Sequence, residues 1–137
     1  MPASGGDAVQ LTATGGLMPV ESRDGKTVFF RAPDGSGILK VPSDGGESVP
    51  VVGPIHGYPS GFAVTTEGIF YPAPPHSGNQ RFIKFFSFTT GDSRPVAVAS
   101  HAFHIGMSVS PDSKYVLFDQ YDELGSDLML VENFRLQ

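Results

Sequence analysis

The chain has 137 residues, of which 39% are hydrophobic and 17% charged, and its net charge is −5. That is the length of one domain with a buried core, too apolar for disorder, and its acidic balance opposes a generic phosphate-binding role. There is no cysteine, so disulfides and thiolate metal sites are excluded.

The N-terminal stretch Met1-Pro2-Ala3-Ser4-Gly5-Gly6 has neither a basic nor an apolar region and does not read as a secretory signal. Val9-Gln10-Leu11-Thr12 reads as a short strand, followed by a turn at Thr14-Gly15-Gly16. Residues 18–22 form a weak strand limited by Pro19, which lacks a ladder donor. Asp24-Gly25 turns the chain. Strands follow at 26–31 and 38–42, then a hairpin turn at Asp44-Gly45-Gly46 and an outer strand at 48–52.

The order then repeats. A strand at 61–65 leads through Glu67-Gly68 to a strand at 69–71 and a proline-rich loop at 72–80. Strands at 81–88 and 95–99 flank the turn Thr90-Gly91-Asp92. In the third copy, strands at 105–110 and 114–120 form a hairpin across Pro111-Asp112-Ser113, where Pro111 suits the second position of a type I turn. A loop at 122–126 leads to a strand at 127–132. Turns arrive every 8–12 residues, so no helical period survives. No run approaches the ~18 apolar residues of a membrane-spanning helix.

Three segments carry the repeat: Ser22-Arg23-Asp24-Gly25-Lys26-Thr27-Val28-Phe29-Phe30, Thr65-Thr66-Glu67-Gly68-Ile69-Phe70-Tyr71 and Ser110-Pro111-Asp112-Ser113-Lys114-Tyr115-Val116-Leu117-Phe118. A step of about 43–45 residues built from short strands is the pattern of β-propeller blades. Runs such as Phe82-Ile83-Lys84-Phe85-Phe86 and Leu128-Met129-Leu130-Val131 are apolar on both faces, as expected of a sheet sandwiched between neighbours. The fold class expected is all-β: about three four-stranded antiparallel blades of a partial, open propeller over 1–137. The blades would cover approximately 16–52, 60–99 and 104–134, with 9–12 as the outer strand of a preceding or closing blade.

The third segment resembles the S-P-D-G-[KR]-x-[IVL]-x-[FY] core of TolB-like propeller repeats. Ser22-Arg23-Asp24-Gly25-Lys26 is a second match, and Thr65-Thr66-Glu67-Gly68 is a degenerate one. Asp44-Gly45-Gly46 after Leu39-Lys40-Val41 resembles the family's outer hairpin. The tail from Gly125 to Phe134 is similar to the C-terminal end of bacterial multidomain proteins in which a TolB-like propeller follows a winged-helix DNA-binding domain or a kinase domain. The resemblance covers about residues 9–135. It implies a non-enzymatic module for protein interaction or ligand sensing, cytoplasmic if joined to such a regulator or kinase. Two other readings stay open: a periplasmic TolB-type envelope scaffold, and the non-catalytic propeller of a prolyl-oligopeptidase-like hydrolase. The partner expected is a protein or peptide, with no direct nucleic-acid contact, no membrane, no cofactor and no metal. Closed propellers have about four to eight blades. Three blades would leave two large apolar flanks and unpaired edges, so either a second copy closes the ring or further blades lie upstream.

The site candidates are few. Asp24, Asp44 and Asp112 recur at turns, where aspartate caps its own backbone. His56 and His101 fall at equivalent points of the repeat, in links between blades. Together with Tyr58 and His104 they are expected on one rim that binds a polar ligand or peptide. His76 lies in the proline-rich loop. A metal site at His101 and His104 has loosely plausible spacing but no carboxylate nearby in sequence. Asp119, Asp122, Glu123 and Asp127 read as a solvated acidic loop without the calcium-loop pattern. Neither Gly57-Tyr58-Pro59-Ser60-Gly61 nor Gly106-Met107-Ser108-Val109-Ser110 fits the G-x-S-x-G elbow of hydrolases, so no catalytic residue is assigned.

Overall fold

The computed structural model describes residues 5–55, 61–73 and 81–121. They contain ten strands and no helix. The strands form three open antiparallel sheets of 4, 4 and 2 strands, each in sequence order. The first contains β1 (Leu17–Glu21), β2 (Thr27–Arg31), β3 (Ile38–Pro42) and β4 (Val49–Val52). The second contains β5 (Ala63–Val64), β6 (Gly68–Ala73), β7 (Arg81–Ser87) and β8 (Ser93–Ala99). The third pairs β9 (Phe103–Val109) with β10 (Val116–Gln120).

Local chemistry explains the departures from regularity. Pro19 interrupts β1, and the β1–β2 register shifts between Leu17 and Val20, with Met18 at φ 55°. A non-glycine residue in that region marks a bulge rather than a regular strand. Pro72 was expected to open a loop, yet β6 continues through it to Ala73. The β5 ladder ends at the pair Ala63 and Phe70. Beyond that point β6 has a strand neighbour on one side only, where proline is tolerated. Residues 9–12 form no strand among the described residues, contrary to the expectation of an outer strand. The strand expected at 127–132, which a closing blade would set beside them, lies outside the described residues.

The first hairpin turns of the first and third sheets match at the level of single hydrogen bonds. Ser22 N donates to Thr27 O and Gly25 N to Ser22 O; Ser110 N donates to Tyr115 O and Ser113 N to Ser110 O. Ser22 Oγ donates to Asp24 Oδ1 at 2.7 Å and Ser110 Oγ to Asp112 Oδ1 at 2.6 Å. The same two carboxylates accept the Lys26 and Lys114 N–H groups. In the second copy Thr65 takes the serine's place, and its Oγ1 accepts from Glu67 N and Gly68 N. Hydrogen bonds from the serine hydroxyls foremost, then from the backbone, hold Asp24 and Asp112 below the usual carboxylate range. These aspartates are turn residues, as their phase in the repeat suggested.

The sheets stack face to face. Phe29, Ile38 and Val52 of the first pack against Ile69, Tyr71 and Ala73 of the second. The other face of the second sheet, with Ile83 and Phe70, packs against Phe103, Met107, Val116 and Phe118 of the third. First strands adjoin in succession, β1 against β5 and β5 against β9. At the second of these contacts a Cβ on Gly61 would lie 2.2 Å from Ile105 O, so the close approach requires glycine there.

Of the two large apolar flanks expected, one is covered at its centre. Phe30 and Val41, on the face of the first sheet opposite Phe29, are buried, and Gly16 lies against the Phe30 ring. The far face of the third sheet is different: Tyr115, Leu117 and Tyr121 are exposed.

Candidate functional site

Antiparallel order places the first hairpin turns at one end of the sheets and the links between sheets at the other. Arg23 Nη2 donates to Pro111 O at 2.6 Å, tying the first turn to the third at the turn end. At the link end the guanidinium of the buried Arg31 donates to Ile55 O at 3.1 Å. Burial pushes its pKa down from the ordinary arginine value.

His104 sits at the start of β9 and Asp119 near the end of β10, so both reach the link end. The β9–β10 register shifts between Phe118 and Gln120, which sets Asp119 in an irregular position opposite His104 and Gly106. Its carboxylate uses both oxygens. Oδ2 meets His104 Nδ1 at 3.0 Å, and Oδ1 accepts the Gly106 N–H at 2.8 Å. A carboxylate only accepts, so the imidazole carries its proton on Nδ1, and in the neutral ring Nε2 holds the lone pair. Among the described residues no hydrogen-bond partner meets Nε2. The Tyr121 ring packs edge-on against the imidazole, centroids 4.7 Å apart and planes at 70°. Tyr121 is itself held by its N–H, which donates to Ala102 O. The pair stays open to solvent, with side-chain exposures of 37% for His104 and 49% for Asp119.

Of the four rim candidates, His104 and His101 lie at the link end, where the Ser100 hydroxyl bonds to His101 Nδ1 at 2.9 Å. His56 and Tyr58 lie outside the described residues. Asp119 and Tyr121 were missed as partners of His104. Asp119, expected in the 114–120 strand at the edge of an acidic loop, belongs to β10, while Asp122, Glu123 and Asp127 lie outside the described residues. A signal existed: in a hairpin centred on 110–115, cross-strand counting brings 104 opposite 121, next to Asp119 on the same strand face. The bulge then decides which side chain faces the histidine. Among the described residues no group of three or more His, Asp or Glu side chains could hold a metal ion.

The arrangement suits recognition. A braced imidazole offers an acceptor or, when protonated, a donor to a ligand, and Tyr121 adds a flat apolar surface with a polar tip. No family model, curated protein or solved structure matches the chain.

Proposed function

We propose that this chain is a segment of a TolB-like β-propeller and that it acts by binding, as a protein-interaction or ligand-sensing module, rather than by catalysis. The sheet-to-sheet stacking and the succession of adjoining first strands support the architecture, since blades pack in this manner around a central axis. One observation carries the functional reading. Asp119 fixes the His104 imidazole at the link end, beside Tyr121, with Nε2 turned to no group among the described residues. Loops and strand ends on a rigid sheet scaffold are where such modules bind. Asp119 and Tyr121 are the partners of His104 here, and among the described residues no serine or threonine hydroxyl bonds to it. Attachment to a transcriptional regulator or kinase would put the module in the cytoplasm.

Panning a library of random dodecapeptides against the 137-residue chain tests this, followed by NMR titration of the selected peptides. Peptides that shift the His104 and Tyr121 signals, and that lose about tenfold or more in affinity against His104→Ala, are expected. Selected peptides that bind His104→Ala as well as the parent chain would overturn the assignment.

A further inference from the structure

We propose a second binding site at the opposite end of the sheets, in the cleft between the first two hairpin turns, for a ligand that joins an aromatic ring to a carboxylate. The cleft measures about 430 Å³ and lies between the Ser22 turn and the Thr65 turn. That volume is in the range of small-ligand sites, ~300–1,000 Å³. Its apolar wall is a stacked pair, Phe29 and Phe88, with centroids 5.6 Å apart and planes at 18°. Phe86 meets Phe88 edge-on at 6.2 Å. Phe29 is buried, but Phe88 keeps 39% of its surface exposed, so an aromatic ring has a face or edge to pack on.

The polar lining is selective because most of it is already engaged. The Ser22 and Thr65 hydroxyls donate to Asp24 Oδ1 and Gly68 O, and each also accepts backbone N–H groups. Asp24 accepts through Oδ1 from Ser22 and Lys26 and has the Lys26 charge beside it. Arg23 forms no ion pair among the described residues. One of its five N–H donors goes to Pro111 O, which orients the planar guanidinium and leaves the others for a ligand. A fork held in this way matches a carboxylate better than a spherical anion. The same chemistry occurs in a free aromatic acid and in a peptide that ends in phenylalanine.

NMR titration of the 137-residue chain with 3-phenylpropionate, N-acetylphenylalanine and N-acetylphenylalanine amide tests the site. Both acids are expected to shift the Arg23, Thr66 and Phe88 signals to saturation, and the amide to bind about tenfold or more weakly. A preference for 3-phenylpropionate supports a free acid as the natural ligand, and a preference for N-acetylphenylalanine supports a chain end. Arg23→Gln should abolish the discrimination between acid and amide, and Phe88→Leu should weaken all three compounds. Unchanged Ile69 methyl signals report that each variant is folded. Equal binding of acid and amide, shifts at His104 and Tyr121 in place of Phe88, or no saturation by about 10 mM, weaker than the millimolar affinity of a minimal fragment, would overturn the proposal.

Discussion

The second and third sheets begin with the same repeat and end in different environments. In the second, Ile69 and Tyr71 pack toward the first sheet while Phe70 and Ile83 pack toward the third, so both faces are covered. In the third, Val116 and Phe118 are packed on one face, and Leu117 between them is 61% exposed on the other. An alternating apolar strand is compatible with either outcome. What decides is whether a neighbouring sheet lies on each side.

The largest test of this contrast is a pair of truncations. Ile69 is 0% exposed, and Ile69→Ala should cost about 2–5 kcal/mol. Leu117→Ala should stay within about 0.5 kcal/mol, as surface changes do. Denaturant unfolding measures both. A Leu117→Ala cost comparable with that of Ile69→Ala would show that the far face of the third sheet is covered in solution.

A smaller effect separates the first turn from the third. Gly25 and Ser113 occupy equivalent positions, at φ 69° and φ 60°. Glycine takes this conformation freely, whereas an L side chain does not. Ser113→Gly should therefore stabilise the chain by about 1 kcal/mol, read as a raised midpoint in the same unfolding assay. A lowered midpoint would mean that the serine side chain contributes contacts that outweigh the backbone strain.

The smallest effect is acid sensitivity of the turns. Asp24 and Asp112 are held below 3.8 by the serine hydroxyls, and Asp34 by the Ser36 N–H. A carboxylate with a depressed folded value stabilises the fold above its unfolded pKa, and the contribution is lost as pH falls through the folded value. Unfolding midpoints should decline as pH drops below about 4, and the decline should be shallower in the double variant Asp24→Asn, Asp112→Asn. An equally steep decline in that variant would remove these turns as its source.

Much of the fold was legible in the residues. Strand β3 has the bounds that its flanking Gly37 and Ser43-Asp44-Gly45-Gly46 implied, and most other strands differ by one or two residues. The misses have physical causes. Residues 9–12 have β-forming chemistry, but a strand also needs a partner, and none of the described residues supplies one. Pro72 argued for a loop because its missing donor is costly inside a sheet. It is tolerated here because β5 stops short of it. At the candidate site, His104 was legible as a rim residue while its brace was not. Asp119 is fifteen residues away in sequence, and a bulge turns it toward the imidazole.

By itself the sequence determined the all-β class, the positions of the turns and the chemistry within each turn. These depend on local preferences: glycine and asparagine-like backbone geometry, serine and aspartate hydrogen bonds, and the two-residue period of a strand. Tertiary structure alone decided which strand faces are buried, that Asp119 braces His104, and that Arg23 reaches Pro111 across 88 residues of chain. Those outcomes depend on which surfaces meet when sheets stack, and local propensity carries no record of a neighbour so distant in sequence.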